Sequence, residues 1–254
     1  MAIKILILGC GTSTGVPVIG CDCNVCTSTH PANRRTRSSA LFQTGGKNIL
    51  IDTSTDLRAQ SLLNGLKRID AVLFTHPHAD HIHGIDDLRS FNMVQKQSIP
   101  CYGNEHTVER IHVMFDYVFS GESSESWRPK LTTTVVDGPF NLFGAEVTPV
   151  DVQHGNTRIL GYRIGPAAYI TDCSSLPEES MERLGGLKLL VLGALRFRPH
   201  PTHMTIDEAV EISRKLKPER TILTHLSHNI DYTVDNKKLP TGVELGYDGM
   251  SVEV

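Results

Sequence analysis

Apolar residues in this chain gather in short runs. Ile3 to Leu8, Ala71 to Thr75, Leu189 to Leu192 and Thr221 to Thr224 are apolar or β-branched almost throughout. Runs of this length without alternation belong to strands buried on both faces. Ser39–Gln43 and Asn48–Asp52 read as two strands joined at Gly45-Gly46, a hairpin signal. Further strands are expected over Ile99–Tyr102, Leu131–Val136, Gly144–Val150, Leu160–Ile164, Ala168–Thr171, Val243–Leu245 and Ser251–Val254. Helical spacing covers Asp56–Asn64, Asp86–Val94, Glu105–Phe119, Pro177–Leu184 and Thr205–Leu216. Two strand-rich blocks, each trailed by helices, predict a sheet-on-sheet core with helices outside. No repeat, linker or compositional break interrupts the pattern, so one domain over residues 1–254 is expected.

Composition narrows this only a little. Hydrophobic residues make up 39% of 254, enough for a substantial core and too many for a chain that is disordered as a whole. Lys+Arg 25 against Asp+Glu 28 leaves a net charge of -3, which opposes a broad basic surface for duplex nucleic acid. No run approaches the roughly 20 apolar residues of a spanning helix, and no export signal follows Ile3–Leu8, so a cytoplasmic protein is expected. In a reducing compartment, Cys 6 points to metal or free thiols rather than disulfides. His 12 is high for this length, and where the histidines cluster matters more than how many there are.

The densest cluster is Thr75-His76-Pro77-His78-Ala79-Asp80-His81. Four metal-ligating side chains follow a buried strand within six residues. Imidazole and carboxylate suit zinc, manganese or iron, and buried polar groups at this density need solvent or a cation. The string resembles the signature of the metallo-β-lactamase superfamily. That resemblance implies a mixed α/β (α+β), four-layer αββα sandwich holding two divalent metal ions, manganese, zinc or iron. Residues in matching order are His154 in Gln153-His154-Gly155, Asp172 after Tyr169-Ile170-Thr171, and His225 after Thr221–Thr224. By the resemblance, His76, His78 and His154 hold one metal, Asp80, His81 and His225 the other, and Asp172 bridges them. His rather than Glu at position 78 implies hydrolysis rather than the redox chemistry of the diiron branch.

A second cluster, Cys21-x-Cys23-x-x-Cys26, has three corners of a tetrahedral zinc site, with His228 the candidate fourth ligand and a zinc loop over about residues 20–37. Together with Gly15-Val16-Pro17, Arg34-Arg35 and Gly246-Tyr247-Asp248-Gly249-Met250, this loop is similar to that of the PhnP-type phosphodiesterases of the carbon–phosphorus lyase pathway. The resemblance implies a metal-dependent phosphoric diester hydrolase with a structural zinc. Its substrate would be a small cyclic phosphodiester, such as 5-phosphoribosyl 1,2-cyclic phosphate or a 2',3'-cyclic nucleotide.

His203, in Arg196-Phe197-Arg198-Pro199-His200-Pro201-Thr202-His203, matches the non-ligand histidine of phosphodiesterase members; a hydrogen bond to a phosphoryl oxygen or a proton for the leaving alkoxide are its two roles, and it is expected to assist the departing oxygen, alongside Asp80 and Asp172. His200 is its competitor. Arg196 and Arg198 are candidates for a substrate phosphate and equally for plain surface charge. Arg34, Arg35 and Arg37 read as phosphate contacts or as ion pairs that anchor the Cys loop, and Asp248 as a carboxylate that orients a histidine ligand. The expected partner is a small-molecule phosphodiester, with no membrane and no nucleic acid; a homodimer stays open. The rival readings are a tRNase Z-like nuclease, a glyoxalase II-like thioester hydrolase, and a metal-binding scaffold without activity.

Overall fold

Ile3 to Leu8 is apolar at nearly every position because both faces of its strand are covered. In the computed structural model, which describes residues 2–120 and 127–254, Ile5 and Ile7 enter a core between two sheets, while Leu6 and Leu8 face helices on the outside. The neighbouring strands repeat this alternation. Phe42, Ile49, Ile51 and Leu73 point to the inter-sheet core, and Leu41, Leu50 and Val72 point outward to Leu57, Leu88, Phe91 and Ile111.

The first half of the chain supplies β1 (Lys4–Gly9), β2 (Ser39–Thr44), β3 (Lys47–Ile51), β4 (Ala71–Leu73), β5 (Ile99–Gly103) and β6 (Leu131–Val135). The second supplies β7 (Phe140–Leu142), β8 (Ala145–His154), β9 (Thr157–Ile164), β10 (Ala167–Ile170), β11 (Leu189–Gly193), β12 (Arg220–Thr224), β13 (Val243–Leu245) and β14 (Ser251–Glu253). They form two seven-stranded sheets, ordered β14-β1-β2-β3-β4-β5-β6 and β13-β12-β11-β10-β9-β8-β7. Each sheet is antiparallel at one side and parallel at the other. The parallel crossovers carry the helices: α1 (Leu57–Leu63), α2 (Ala79–Ile82), α3 (Leu88–Gln95), α4 (Glu105–Met114) and α5 (Asp116–Phe119) on the first sheet, α6 (Glu178–Arg183), α7 (Ile206–Leu216) and α8 (Tyr232–Asp235) on the second. The result is the expected four-layer αββα sandwich. Among the described residues no helix is long and apolar enough to cross a membrane.

The structure departs from the sequence reading in a few places. The helix expected over Glu105–Phe119 is two, broken at Phe115 (φ -122, ψ 43), whose side chain is buried against the His83 ring. The strand expected over Gly144–Val150 runs on to His154. The strand expected over Ala71–Thr75 stops at Leu73, and Phe74 and Thr75 leave it to bond other segments.

Two hydrogen bonds from β9 reach across to that departing segment. Leu160 N–H donates to the Thr75 carbonyl at 3.0 Å, and the buried Tyr162 hydroxyl donates to the Phe74 carbonyl at 2.7 Å. They lock the end of β4 in one sheet to β9 in the other. Tyr162→Phe removes one lock and leaves a buried carbonyl without its donor, so it should cost about 1–3 kcal/mol of stability. Urea unfolding measures this; an unchanged midpoint would show that the lock carries no weight.

Candidate functional site

Sequence-predicted site residues converge where strand ends of the two sheets meet. His76 follows β4, His154 ends β8, Asp172 follows β10 and His225 follows β12. His78, Asp80 and His81 come from the turn into α2. On the opposite flank, Leu226 N–H donates to the Cys10 carbonyl at 2.8 Å and Thr12 N–H to the Leu226 carbonyl at 3.2 Å. This holds the loop after β12 against the loop after β1.

The ligand atoms of His76, His78 and His154 lie within 4.8 Å of one another, as do those of Asp80, His81 and His225. Asp172 stands between the groups. Its Oδ2 is 3.2 Å from His81 Nε2 and its Oδ1 is 3.2 Å from His225 Nε2. Asp80 Oδ2 lies 3.2 Å from the same His81 nitrogen, and His76 Nε2 lies 3.0 Å from His78 Nδ1.

Hydrogen bonds behind the rings fix which nitrogen faces inward. Asp52 Oδ2 sits 2.7 Å from His81 Nδ1, and a carboxylate can only accept, so Nδ1 carries the proton and Nε2 keeps its lone pair. Thr75 gives its hydroxyl proton to Asp52 at 2.8 Å and therefore accepts from His76 Nδ1 at 2.9 Å. His154 Nδ1 donates to the Thr202 carbonyl at 2.9 Å. Ser38 donates to the Gly11 carbonyl and accepts from His225 Nδ1 at 3.2 Å. Four imidazoles thus turn their Nε2 atoms into the cluster, where two carboxylates also point; the Thr12 hydroxyl lies 3.1 Å from the His225 one. His81 Nε2 is buried without a hydrogen-bond partner. Lone pairs facing lone pairs repel unless a cation lies between them. Ligands about 2.1 Å from an ion sit about 3.0–3.4 Å apart, which the 3.2 Å spacings match. The residues therefore fit a pair of divalent cations.

The electrostatics agree. Burial opposes ionisation of Asp172, yet the imidazoles of His225 and His81 hold its carboxyl well below the usual range. Burial likewise opposes the His81 cation, but Asp172, Asp80 and Asp52 together draw positive charge to its Nε2 and raise the ring well above the ordinary imidazole value, so this nitrogen takes a proton wherever a metal cation does not hold it. Burial pushes His76 and His225 down.

Cys21, Cys23 and Cys26 surround His228 Nδ1 at 3.3, 3.6 and 3.6 Å. Tetrahedral zinc, with bonds of about 2.3 Å to sulfur and about 2.0 Å to nitrogen, sets such pairs about 3.5 Å apart. The Cys26 N–H points at Cys23 Sγ and brings that thiol down to about 6, while burial pushes Cys26 up to about 11. Arg35 holds the two halves of this site together, and it neither waits for phosphate nor forms an ion pair. Buried at 2% exposure, it donates to the carbonyls of Ala32, Ser227 and Ile230 and to Asn33 Oδ1. Arg37 pairs with Asp56 at 3.0 Å.

His203 lies beside the first cluster. Its Nδ1 is 3.7 Å from Asp172 Oδ1, its ligand atom lies within 4.8 Å of those of His154 and Asp172, its ring stacks on His225 at 4.9 Å, and His200 is one ring further out at 5.0 Å. Arg196 spends two donors on the carbonyls of Arg198 and Pro199. Asp248 contacts no histidine: it accepts from the backbone of Cys10 and Thr36 and from the Thr36 hydroxyl, so it buttresses the loops instead. His83 is exposed, outside the cluster.

The site residue the sequence reading overlooked is Asp52. Its signal was present, since it ends an apolar run in the way Asp172 does.

The family profile described as a beta-lactamase superfamily domain matches residues 47–226. The chain therefore belongs to the metallo-β-lactamase superfamily. A solved structure described as a new diphosphatase from the PhnP family is 45% identical, covers 100% of this chain and 98% of its own, and superposes with a TM-score of 0.94. Within the superfamily, this chain belongs to the PhnP family. An octanoyltransferase of Porphyromonas gingivalis strain W83 is 38% identical over 252 residues, 97% of this chain and 51% of that protein. A ribonuclease Z of Clostridium beijerinckii is 28% identical over 167 residues, 63% of this chain and 48% of that protein. The chain thus spans about half the length of these curated relatives.

Asp52→Asn should keep the fold but weaken divalent-cation binding about 10- to 100-fold, the usual effect of losing the acceptor behind a histidine ligand. Equilibrium dialysis against zinc, with circular dichroism as the fold control, measures it. Unchanged affinity would remove Asp52 from the account.

Proposed function

We propose that this chain, as one catalytic domain, hydrolyses a P–O bond in a small phosphodiester or diphosphate. The observation that carries the reading is the pair of donor sets sharing Asp172, with a histidine outside both sets alongside. The 45%-identical relative is described as a diphosphatase, which supports phosphorus rather than carbon as the reacting centre. A cyclic ribose phosphate is the substrate the sequence resemblance favours.

In this reading His76, His78 and His154 hold one cation, Asp80, His81 and His225 the other, and Asp172 both. Cys21, Cys23, Cys26 and His228 hold a structural zinc. Divalent cations in the paired site supply positive charge at the reacting phosphoryl group and make water a stronger acid. The remaining work falls to side chains. Asp172 and Asp80 position the nucleophile and the cations, and Asp52 and Thr75 keep the imidazole rings from rotating. Burial and the neighbouring His225 push the His203 imidazole down to about 3, so the ring is neutral at pH 7. Cations next to it push the same way. A neutral ring starts with no surplus proton, which in this reading favours, of the two roles expected for His203, that of hydrogen-bond donor to a phosphoryl oxygen.

The test is a panel on metal-loaded protein: a cyclic phosphate, a linear phosphodiester, a diphosphate, a thioester and a precursor tRNA. Turnover confined to the phosphorus compounds of low mass is expected. Turnover of the thioester alone, or of the RNA alone, would overturn the reading in favour of a glyoxalase II-like or ribonuclease Z-like activity.

His203→Ala should lower kcat about 10²- to 10³-fold, the scale for one lost oxyanion donor, with catalytic metal content unchanged. Aryl and alkyl leaving groups should suffer alike. A much larger loss for the alkyl leaving group would restore the general-acid role.

A further inference from the structure

The loop between β11 and α7 is built more rigidly than its length suggests. Its base is zipped by Leu195 N–H to the Met204 carbonyl at 2.9 Å and by Ile206 N–H to the Arg196 carbonyl at 3.0 Å. Arg196 ties the first bend through the Arg198 and Pro199 carbonyls at 3.1 and 3.0 Å. Pro199 and Pro201 flank His200 and restrict the backbone on both sides.

Within this frame Thr202 faces two ways. Its carbonyl accepts the Nδ1 proton of His154. Its N–H, at 3.3 Å, and its hydroxyl, at 3.2 Å, both meet His200 Nδ1. The backbone N–H can only donate, so His200 Nδ1 is the acceptor and the ring proton sits on Nε2. Thr202 also packs closely on the turn after His154: a Cβ added to Gly155, where φ is +59, would lie 2.8 Å from Thr202 Cγ2. His200 is thus tied through Thr202 to His154, one ring beyond His203, with Nδ1 engaged and a single N–H left to offer. Its side chain is partly exposed. From Ala194 to Ile206 the chain carries two arginines and two histidines and no acid, so the loop offers this N–H no carboxylate of its own and presents a setting suited to an anion.

We propose that His200 is a recognition residue for a second phosphoryl group on the substrate, its Nε2–H donating to an oxygen next to the phosphorus that is attacked. The proposal rests on the phosphoester reading and names a substrate class within it: molecules with two phosphoryl groups close together. Among the described residues His200 is in none of the metal-binding groups, so it acts on the substrate rather than on the cations.

The experiment uses metal-loaded protein, with metal content measured in every variant, and takes ADP and AMP as binding probes in calorimetry. Wild type should bind ADP more tightly than AMP. His200→Ala should lower the ADP-to-AMP affinity ratio about tenfold, the scale of one hydrogen bond to a charged oxygen. His200→Gln, which can still present an N–H, should recover most of it. With a hydrolysed substrate bearing two phosphoryl groups, His200→Ala should raise KM more than it lowers kcat. An unchanged ratio in His200→Ala, or an equal loss for both nucleotides, would overturn the proposal. A fall in kcat without a rise in KM would also overturn it, by assigning His200 to the support of His203. If wild type turned over no phosphoester while the ratio still fell, the catalytic reading would fail and the recognition site would stand.

Discussion

One buried carboxylate governs the geometry of the paired site. Asp52, with no exposed surface, accepts from Thr75 N and Oγ1 at 2.8 Å each and from His81 Nδ1 at 2.7 Å. Since the carboxylate has no proton to give, the Thr75 hydroxyl and the His81 ring must both donate to it. Thr75 is then left only to accept from His76. A single acid thereby sets the tautomers of a histidine in each donor set. Burial raises its carboxyl pKa, while His81 and the Thr75 donors pull the other way; a buried charge survives when donors of this number surround it.

The strand ends that hold the cluster are strained in a consistent way. Asp52, Asp172 and His225, which follow β3, β10 and β12, have φ of 60, 50 and 60. Left-handed backbone costs a non-glycine residue about 1 kcal/mol or more. At each of these positions the chain turns sharply out of its strand and sends the side chain into the crevice between the sheets. Among the described residues Lys96, Phe143 and Lys217 also have positive φ, but at the three strand ends interlocking hydrogen bonds hold each side chain in place. The cross-sheet bonds from Leu160 and Tyr162 stop the two sheets from sliding, so the two halves of the donor set keep their spacing.

Much of this was legible in the chain. Both-face-buried runs such as Ile3–Leu8 announced a sheet covered on each side, and His76 to His81 announced the donor cluster, because ligands crowded into one turn leave a local pattern. The partners of that turn are distant in sequence and were found through the family resemblance, which supplies the order in which they follow their strands. Asp52 was not found because an acid at a strand end has no local mark that separates an orienting residue from a cap. The break at Phe115 was hidden because helical spacing continues through it; what breaks the helix is burial of that ring against His83, a tertiary contact. Asp248 and Arg35 were misread for a related reason: Asp248 accepts from Cys10 and Thr36, and Arg35 donates to the Ser227 and Ile230 carbonyls, partners far away in the chain that no local pattern records.

The central claim is that the imidazole nitrogens are oriented in advance for a cation pair. Anomalous diffraction from crystals of the metal-loaded protein, collected at the manganese and zinc edges, tests it most directly. The account predicts two cation peaks in the cluster, about 3.5–4 Å apart, one among His76, His78 and His154 and one among Asp80, His81 and His225, with Asp172 between them. Metal-loaded crystals with no peak in the cluster, or with the rings of His76, His81, His154 and His225 turned so that Nε2 faces away from it, would contradict the account.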